Sequence, residues 1–256
     1  MKKKFGQNFL INNQIINEII KKSNINENSE VYEVGPGDGA LTKEILKKNP
    51  KKYLGIEIDK SLQRQLESLF IQKKHQIIFS DAIHFNETFF FQKNAIIIGN
   101  LPYNISVKLL IKWIYQLNSK IWFSEMILMF QKEVADRIVA KKNSKKFGRI
   151  TLLVAAFFEV KKIMEVDKEN FFPVPKVNSS ILHFKLLKKP LFDIKNIKKL
   201  ELISRILFSG KRKKLKNKIQ HLYKSDVIIK NNLHYYYNLR AENLDTETFY
   251  KMAQLL

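Results

Sequence analysis

The chain has 256 residues and a hydrophobic content of 45%, which suits one full-sized globular domain with a small appendage. Cysteine is absent, so disulfides, iron–sulfur clusters and thiolate zinc sites are excluded, and the five histidines lack the spacing of metal ligands. The formal net charge of +22 indicates a polyanionic partner such as nucleic acid, although 40 lysines against 6 arginines also point to a coding bias that inflates lysine.

The sequence predicts neither a membrane span nor a targeting segment. No apolar run approaches the ~20 residues that a membrane helix needs. The start Met-Lys-Lys-Lys resembles the beginning of a signal peptide, but the stretch behind it is interrupted by asparagine and glutamine and lacks an apolar core. We therefore expect a soluble protein of the cytoplasm with nothing to cleave.

The first predicted elements are a polar-aromatic segment over residues 3–10 and a helix that follows it. The helix is capped near Asn12 or Asn13 and places four isoleucines at positions 15, 16, 19 and 20 on one face. The segment before it, which contains Phe5 and Phe9, is either a tethered terminus or the edge of a binding site.

The next segments predict the first units of a doubly wound sheet. The strand Val31–Val34 runs into the turn Gly35-Pro36-Gly37-Asp38-Gly39 and then into a helix. A second strand ends at Glu57, 22 residues after the first glycine, where a carboxylate can accept hydrogen bonds from both ribose hydroxyls of a nucleoside. A third strand ends at Asp81, which suits an adenine amino group. Three consecutive strand ends thus line one crevice.

The glycine turn also fits a dinucleotide-binding fingerprint, because Gly35, Gly37 and Ala40 match G-x-G-x-x-[GA] with an acid about 20 residues further on. Two observations decide against that alternative. Glu33, Asp38 and Glu57 make the surroundings of the turn acidic, which repels a pyrophosphate but suits the sulfonium and ammonium groups of S-adenosyl-L-methionine. The strand that follows ends in a tetrapeptide for which a dehydrogenase has no use.

That tetrapeptide, Asn100-Leu101-Pro102-Tyr103, follows the apolar strand Ala95–Gly99. Asn100 offers an amide oxygen, and Leu101, held extended by the following proline, points a backbone carbonyl outward, so two acceptors can meet one amino group. Pro102 contributes no competing N–H, and Tyr103 offers a flat face on which a base can stack. Two acceptors on one exocyclic amine localise the nitrogen lone pair, which makes the amine a nucleophile without a general base. An ordinary turn after a strand is the alternative explanation of this tetrapeptide.

The middle of the chain continues the alternation of helices and strands. The predicted elements are a helix from Ile105, a buried strand at Met126–Phe130, a helix from Gln131 to about Ala140, a helix from Arg149 to Phe157 and a strand from Glu159 to Val166. The basic loop over residues 141–149 is either a solvated surface loop or a phosphate contact.

The segment Phe171-Phe172-Pro173-Val174-Pro175 is stiffened by its two prolines, so an aromatic ring just before them loses little entropy when it is held in place. We predict that Phe171 is the second face of a clamp opposite Tyr103, whereas Phe172 belongs to the core. The last strand of the sheet then runs from Ser180 to Leu187.

Beyond Pro190 the pattern becomes helical, and Ile197, Leu200, Ile203 and Leu207 share one face of a helix that ends at Gly210. Residues 185–256 contain 17 basic and 6 acidic residues, so the positive charge is concentrated here. Lys211, Lys214 and Lys218 are spaced to share one helical face, which favours contact with phosphates over a merely solvated helix. The sequence predicts domains at residues 1–189 and 190–256, the second of them helical and RNA-binding.

Taken in order, these segments resemble the bacterial small-subunit (16S) ribosomal RNA adenine N6,N6-dimethyltransferases. The resemblance is carried by G-Q-N-F-L at residues 6–10, the glycine turn, Glu57, Asp81, N-L-P-Y at 100–103, Phe171-x-Pro173-x-Pro175, the basic helix, and R-A-E-N-L at 240–244. It covers nearly the whole chain. It implies a class I S-adenosylmethionine-dependent methyltransferase of Rossmann-like α/β fold, with a mostly parallel seven-stranded sheet and a small C-terminal all-helical domain.

The resemblance also implies a function and a site. A monomeric enzyme would transfer methyl groups from S-adenosylmethionine to two adjacent adenosines near the 3′ end of small-subunit rRNA, in ribosome biogenesis. The cofactor would contact Asn8, Leu10, Gly35, Gly37, Glu57, Asp81, Ala82 and Asn100. Catalysis would use Asn100, Leu101, Pro102, Tyr103 and Phe171, with no metal and no general base. The RNA would contact Arg149, Lys211, Arg212, Lys214 and Lys218.

Two other functions fit parts of the sequence. A large-subunit rRNA methyltransferase of the antibiotic-resistance type resembles the catalytic domain, but Leu101 and the Arg240–Leu244 segment favour the small subunit. A non-catalytic RNA binder or assembly factor on the same fold is the other alternative, and the intact tetrapeptide and crevice argue against it.

Overall fold

The computed structural model describes residues 7–70, 75–210 and 212–256. The strands are β1 (Phe9–Leu10), β2 (Glu30–Val34), β3 (Lys52–Glu57), β4 (His75–Phe79), β5 (Ala95–Gly99), β6 (Phe123–Gln131), β7 (Phe158–Val166), β8 (Phe171–Phe172) and β9 (Ser179–Leu186). The α-helices are α1 (Asn13–Lys22), α2 (Ala40–Lys47), α3 (Gln63–Glu67), α4 (Ser106–Gln116), α5 (Lys132–Ile138), α6 (Arg149–Ala155), α7 (Ile197–Phe208), α8 (Lys216–Leu222), α9 (Ser225–Lys230) and α10 (Thr246–Gln254).

Seven strands form one sheet in the order β4-β3-β2-β5-β6-β9-β7. The strands from β4 to β6 in this order pair in parallel, and β9 pairs with β6 in the antiparallel sense. The chain moves outward through β3 and β4 and then returns to the other side of β2 with β5. A doubly wound sheet places its ligand crevice at this kind of switch point, beyond the carboxyl ends of the strands. The predicted fold class is therefore confirmed.

The central strands are apolar along their length because helices cover both faces of a parallel sheet. Every residue of β5 is buried, and β2 is buried from Val31 to Val34. Helix α1 begins as predicted, since the side chain of Asn12 accepts hydrogen bonds from the backbone N–H groups of Gln14 and Ile15.

The chain divides into two compact units, and this division differs from the predicted domains. The first unit comprises the chain up to Ala135 together with Val160–Leu186, and the second comprises Asp136–Glu159 and Leu187–Leu256. The chain passes between the two units three times, and the predicted boundary at residue 189 lies close to the last of these points, after Leu186. The earlier segment belongs to the second unit because α6 is buried there beside α7 and α10, and the Tyr250 hydroxyl donates to the Leu152 carbonyl at 3.0 Å.

The basic segment after α7 is not the continuous helix that the sequence predicted. Helix α7 ends before Gly210, whose φ of +63° suits the glycine that follows a helix. Helix α8 begins only at Lys216, so Lys214 precedes it and does not share a helical face with Lys218. Lys211 lies outside the described residues. The prediction of one lysine face was wrong because α8 begins only after Leu215, whose N–H donates to the Leu239 carbonyl at 3.0 Å.

The prediction for the two phenylalanines was also wrong, because the structure buries Phe171 and exposes Phe172. Strand β8 pairs with β1, with Phe171 opposite Leu10 and Phe172 opposite Phe9. Consecutive side chains of a strand point to opposite faces, so only one of the two can reach the core. Phe171 does so and is 1% exposed, whereas Phe172 is 57% exposed.

Candidate active site

A cleft lies at the carboxyl ends of β2, β3, β4 and β5 and encloses about 820 Å³, including its open mouth. The lining residues include each one predicted to hold the cofactor, namely Asn8, Leu10, Gly35, Gly37, Glu57, Asp81, Ala82 and Asn100. Parallel strands bring their ends together at one edge of a sheet, which explains why residues so distant in sequence meet here.

The glycine turn after β2 forms the floor of this cleft. Gly35 and Gly37 have φ values of +69° and +62°, which residues with a Cβ rarely adopt. A Cβ on Gly37 would lie 2.9 Å from ring carbons of Phe9. The second glycine therefore lets the segment before α1 lie directly against the turn.

Glu57 is the most firmly held acid of the cleft and is 3% exposed. Its Oε1 accepts from the N–H groups of Ile58 and Asp59, both at 2.9 Å, and from Gln7 Nε2 at 3.3 Å. Among the residues that the structure describes, the Gly37 N–H is the one donor to its Oε2, at 3.0 Å, so this oxygen has room for a further donor. Burial raises the pKa of Glu57, and the backbone donors oppose that shift. Gln7 belongs to the G-Q-N-F-L motif, but it was not among the predicted cofactor contacts.

The charged residues that line the cleft all have the same sign. Among the described lining residues, Asp38, Glu57 and Asp81 are acidic and none is basic. Such a lining disfavours a pyrophosphate and favours a ligand that carries positive charge. Asp81 is held in a tight turn, because its Oδ1 accepts from the Ile83 N–H at 2.8 Å.

Glu33 was expected to contribute to this acidic surface, but it lies beneath the cleft. It is 1% exposed, and its Oε2 accepts from the hydroxyls of Tyr53 at 2.6 Å and Thr42 at 2.8 Å. Burial raises the pKa of Glu33 to about 7. Its role is to hold β2, β3 and α2 together under the glycine turn.

The tetrapeptide after β5 presents two acceptors. Asn100 Nδ2 donates to the Asn8 carbonyl at 2.8 Å, which leaves its Oδ1 as the acceptor. The side chain of Leu101 is buried, and its carbonyl and Asn100 Oδ1 receive no hydrogen bond from any residue that the structure describes. The Pro102 carbonyl, in contrast, accepts from the N–H groups of Ile105 and Ser106, both at 3.1 Å, where α4 begins.

Tyr103 is half-buried at the edge of the cleft. Its hydroxyl shares a hydrogen bond of 2.7 Å with Ser179 Oγ, the first residue of β9, which the sequence analysis did not single out. Burial raises the pKa of Tyr103, and the bond to Ser179 opposes the shift. The phenol is therefore anchored at its polar end, which restrains the ring.

Phe171 does not take part in the cleft. Its side chain belongs to the hydrophobic core together with Leu10 and Ile181, so it offers no face to a ligand in this structure. Phe172 points to the other side of the β1–β8 ribbon, the side of Phe9, and Phe9 lines the cleft. Which of the two phenylalanines faces the side of the cleft follows from the pairing of β1 with β8, and no pattern in the sequence predicts that pairing.

The second unit contains a basic groove lined by Lys213, Lys214, Lys216, Lys218 and His221. Arg212 and Lys214 are exposed, and Arg149, the first residue of α6 in the same unit, is exposed as well. Lys218 is half-buried and donates to the Leu207 carbonyl at 2.6 Å. Burial, followed by the charge of Lys213, lowers the pKa of Lys218.

Two further properties bear on the class of protein. No helix in the described part of the chain is long and apolar enough to cross a membrane. Within residues 7–70, 75–210 and 212–256, no group of histidines and acids is arranged to hold a metal ion. A doubly wound seven-stranded sheet, a glycine turn at its switch point and an acidic cleft define a class I methyltransferase, a class that uses S-adenosylmethionine.

The chain belongs to the ribosomal RNA adenine dimethylase family, whose profile matches residues 1–256. It is therefore a methyltransferase enzyme that modifies adenine in rRNA, as the sequence predicted. A protein of Pelagibacter ubique named ribosomal RNA small subunit methyltransferase A is 39% identical over 253 residues, which cover 99% of this chain and 95% of the relative. A protein of the same name from Wolbachia sp. subsp. Drosophila simulans (strain wRi) is 40% identical over 254 residues, which cover 98% of this chain and 92% of the relative.

Two solved structures resemble the fold over nearly the full chain. A dimethyladenosine transferase from Plasmodium falciparum has a TM-score of 0.78 and 28% identity, and 95% of each chain is covered. The 23S rRNA methyltransferase ErmE has a TM-score of 0.75 and 20% identity, with coverage of 97% of this chain and 99% of that one. The second likeness shows the fold alone.

Proposed function

We propose that this protein transfers methyl groups from S-adenosylmethionine to the N6 amines of two adjacent adenosines near the 3′ end of small-subunit rRNA, in the cytoplasm during ribosome biogenesis. The observation that carries the proposal is the acceptor pair of Asn100 Oδ1 and the Leu101 carbonyl beside an acidic cleft. The choice of the small subunit is supported by relatives that are named for it and that match this chain along nearly its whole length.

The hydrogen-bond acceptors and the negative charge of the cleft fit the cofactor. Glu57 Oε2 has room to accept a ribose hydroxyl, and the Asp81 carboxylate suits the amino group of the adenine. Asp38 supplies negative charge near the glycine turn, where a cationic ligand is stabilised. When bound, S-adenosylmethionine supplies an electrophilic methyl group. Asn8 and Leu10, in the segment that lies against the turn, close the cleft from one side.

The chain's own part in the reaction is to activate and orient an amine. Asn100 Oδ1 and the Leu101 carbonyl accept one N–H each of the target amine, which draws the nitrogen lone pair out of conjugation with the ring. Tyr103, restrained through Ser179, stacks on the flipped base. The methylated nitrogen loses a proton to water readily, so the site needs no basic side chain near it.

The RNA would be held by the second unit. Arg149, Arg212 and Lys214 are exposed cations that can contact phosphates without reading sequence. Lys218 is partly engaged by a helix carbonyl, so it contributes less than its exposed neighbours. Lys211 stays a prediction from the sequence.

Primer extension on both ribosomal RNAs after incubation with enzyme and methyl donor tests the proposal. We expect stops at two adjacent adenosines near the 3′ end of the small-subunit RNA and none in the large-subunit RNA. The variant Asn100→Ala serves as the control that should lose the stops. Stops confined to the large-subunit RNA would overturn the proposed substrate.

A further inference from the structure

Lys112 is a largely buried cation that the proposed mechanism does not use. It lies on α4, the helix that follows the Asn100–Tyr103 tetrapeptide, and its side chain is 18% exposed. Its ammonium donates to the carbonyl of Ala82 at 2.7 Å, to the carbonyl of Phe85, and to Glu87 Oε1 at 2.8 Å. Three acceptors match the three protons of an ammonium group, so its orientation is fully determined.

Glu87, the partner of Lys112, is completely buried. Its Oε1 also accepts from Trp113 Nε1 at 3.0 Å and from the Tyr32 hydroxyl at 3.3 Å, and its Oε2 accepts from Gln116 Nε2 at 2.9 Å. Three donors thus come from α4 and one from β2. A buried carboxylate with this many donors is held in one place, and it holds the ammonium in turn.

The two carbonyls to which Lys112 donates belong to the turn that carries Asp81. Within this turn the N–H groups of His84 and Phe85 both donate to the Asp81 carbonyl at 3.1 Å. Asp81 and Ala82 line the cleft at the end of β4. Lys112 therefore connects the wall of the cleft that carries the acceptor pair to the wall that carries Asp81.

We propose that Lys112 is a positioning residue that sets the Asp81–Phe85 turn against α4, so that the Asp81 carboxylate and the Ala82 backbone meet the Watson–Crick edge of the cofactor's adenine. This inference rests on the proposed function, because it assumes that adenine occupies this end of the cleft. Lys112 acts through the turn and does not touch the cofactor. The hydrogen bonds within the turn fix its shape but not its distance from α4. If the turn shifts by about 1 Å, its polar groups lose much of their hydrogen bonds to the adenine.

The test compares two ligands, S-adenosylhomocysteine and its inosine analogue, which lacks the 6-amino group and carries a proton on N1. The wild-type protein should prefer the adenine ligand by at least about tenfold, the usual worth of a hydrogen bond to a charged acceptor. In Lys112→Met this preference should fall about five- to tenfold, while affinity for the inosine analogue stays nearly constant. Calorimetric dissociation constants give both values without any turnover.

Lys112→Met leaves the Glu87 carboxylate buried without its cation, which can unfold the protein. The double variant Lys112→Met/Glu87→Gln removes both charges and should show the same loss of preference in a folded protein, as checked by its melting curve. Lys108→Met is the matched control, since it removes an exposed lysine one turn earlier on α4 and should keep the wild-type preference.

The outcomes separate this inference from the function on which it rests. An unchanged preference in the folded double variant, or equal losses for both ligands, would show that Lys112 only stabilises the fold. A wild-type protein that binds both ligands equally would overturn the placement of adenine and this inference with it. Methylation of rRNA at the expected adenosines would still stand in that case.

Discussion

The cleft of the first unit and the basic groove of the second are built in opposite ways. In the cleft the key acid is held by backbone groups, since Glu57 accepts from the N–H groups of Gly37, Ile58 and Asp59. In the basic groove, Lys214 and Lys216 are exposed ends of long side chains. The cleft is therefore preorganised for one small ligand and one amine, whereas the groove suits phosphates whose positions need not be exact.

This contrast predicts that single changes in the cleft have large effects, and the acceptor pair should be the most sensitive. Asn100→Ala removes one of two acceptors that act as the amine becomes nucleophilic, so we expect a rate loss of roughly 10²–10³-fold, as for removal of one preorganised polar group elsewhere. Single-turnover rates at saturating cofactor measure it. Asn104→Ala, an exposed neighbour, is the control, and a near-wild-type rate for Asn100→Ala would mean that the tetrapeptide is structural.

The two phenylalanines of β8 should separate stability from activity. Phe171→Ala empties part of the core and should lower the free energy of unfolding by about 3–5 kcal/mol. Phe172→Ala removes an exposed ring and should hardly change the melting temperature, but it should lower activity, because the ring lies on the side of Phe9, which lines the cleft. Melting and activity measurements on both variants distinguish the two roles, and an unchanged stability of Phe171→Ala would contradict the burial of this side chain.

Glu57→Ala should weaken cofactor binding by roughly 1.5–3 kcal/mol, the range for a hydrogen bond to a charged acceptor. The same change also frees the Gly37 N–H that the carboxylate holds, so the loss of affinity should lie at the upper end. Titration calorimetry with S-adenosylhomocysteine gives the value. Glu67→Ala, an exposed acid on α3, should leave it unchanged.

Glu33 makes the first unit sensitive to pH. Its folded-state pKa of about 7 lies above the ordinary value of 4.5, so the folded protein binds more protons than the unfolded chain between these values. Its contribution to stability is therefore complete below pH 4.5 and is lost as the pH rises to 7. Glu33→Gln should flatten the dependence of melting temperature on pH in this window, and a parallel curve would assign the dependence to other groups.

The smallest effects are expected at the exposed cations. Changing Arg212 and Lys214 together to Gln should flatten the salt dependence of RNA binding by about 0.7–0.9 log units for each phosphate that is no longer neutralised. The melting temperature should hardly move, because exposed charges contribute little to stability. Filter binding across a salt series measures the slope. Lys230 and Lys251, exposed in the same unit, form the control pair, and equal slopes for both pairs would argue against a specific role of Arg212 and Lys214.

The sheet and the residues that line the cleft could be predicted from the sequence alone. Glu57, Asp81 and Asn100 each follow a buried strand, and the carboxyl ends of parallel strands must meet at one edge of the sheet. Local rules also sufficed for the start of α1 at Asn12 and for the buried face of α7. The cap of α1 depends on residues nearby in the chain, and the strands and the buried face of α7 follow from the spacing of apolar residues.

Features that depend on pairing between distant segments could not be predicted in this way. Whether Phe171 or Phe172 is buried follows from the register of β8 on β1, residues that lie far apart in sequence. The membership of Asp136–Glu159 in the second unit and the bond from Lys112 to the Ala82 carbonyl have the same origin. Such pairings are selected by which surfaces fit in three dimensions, and a local pattern of apolar and polar residues does not specify the partner.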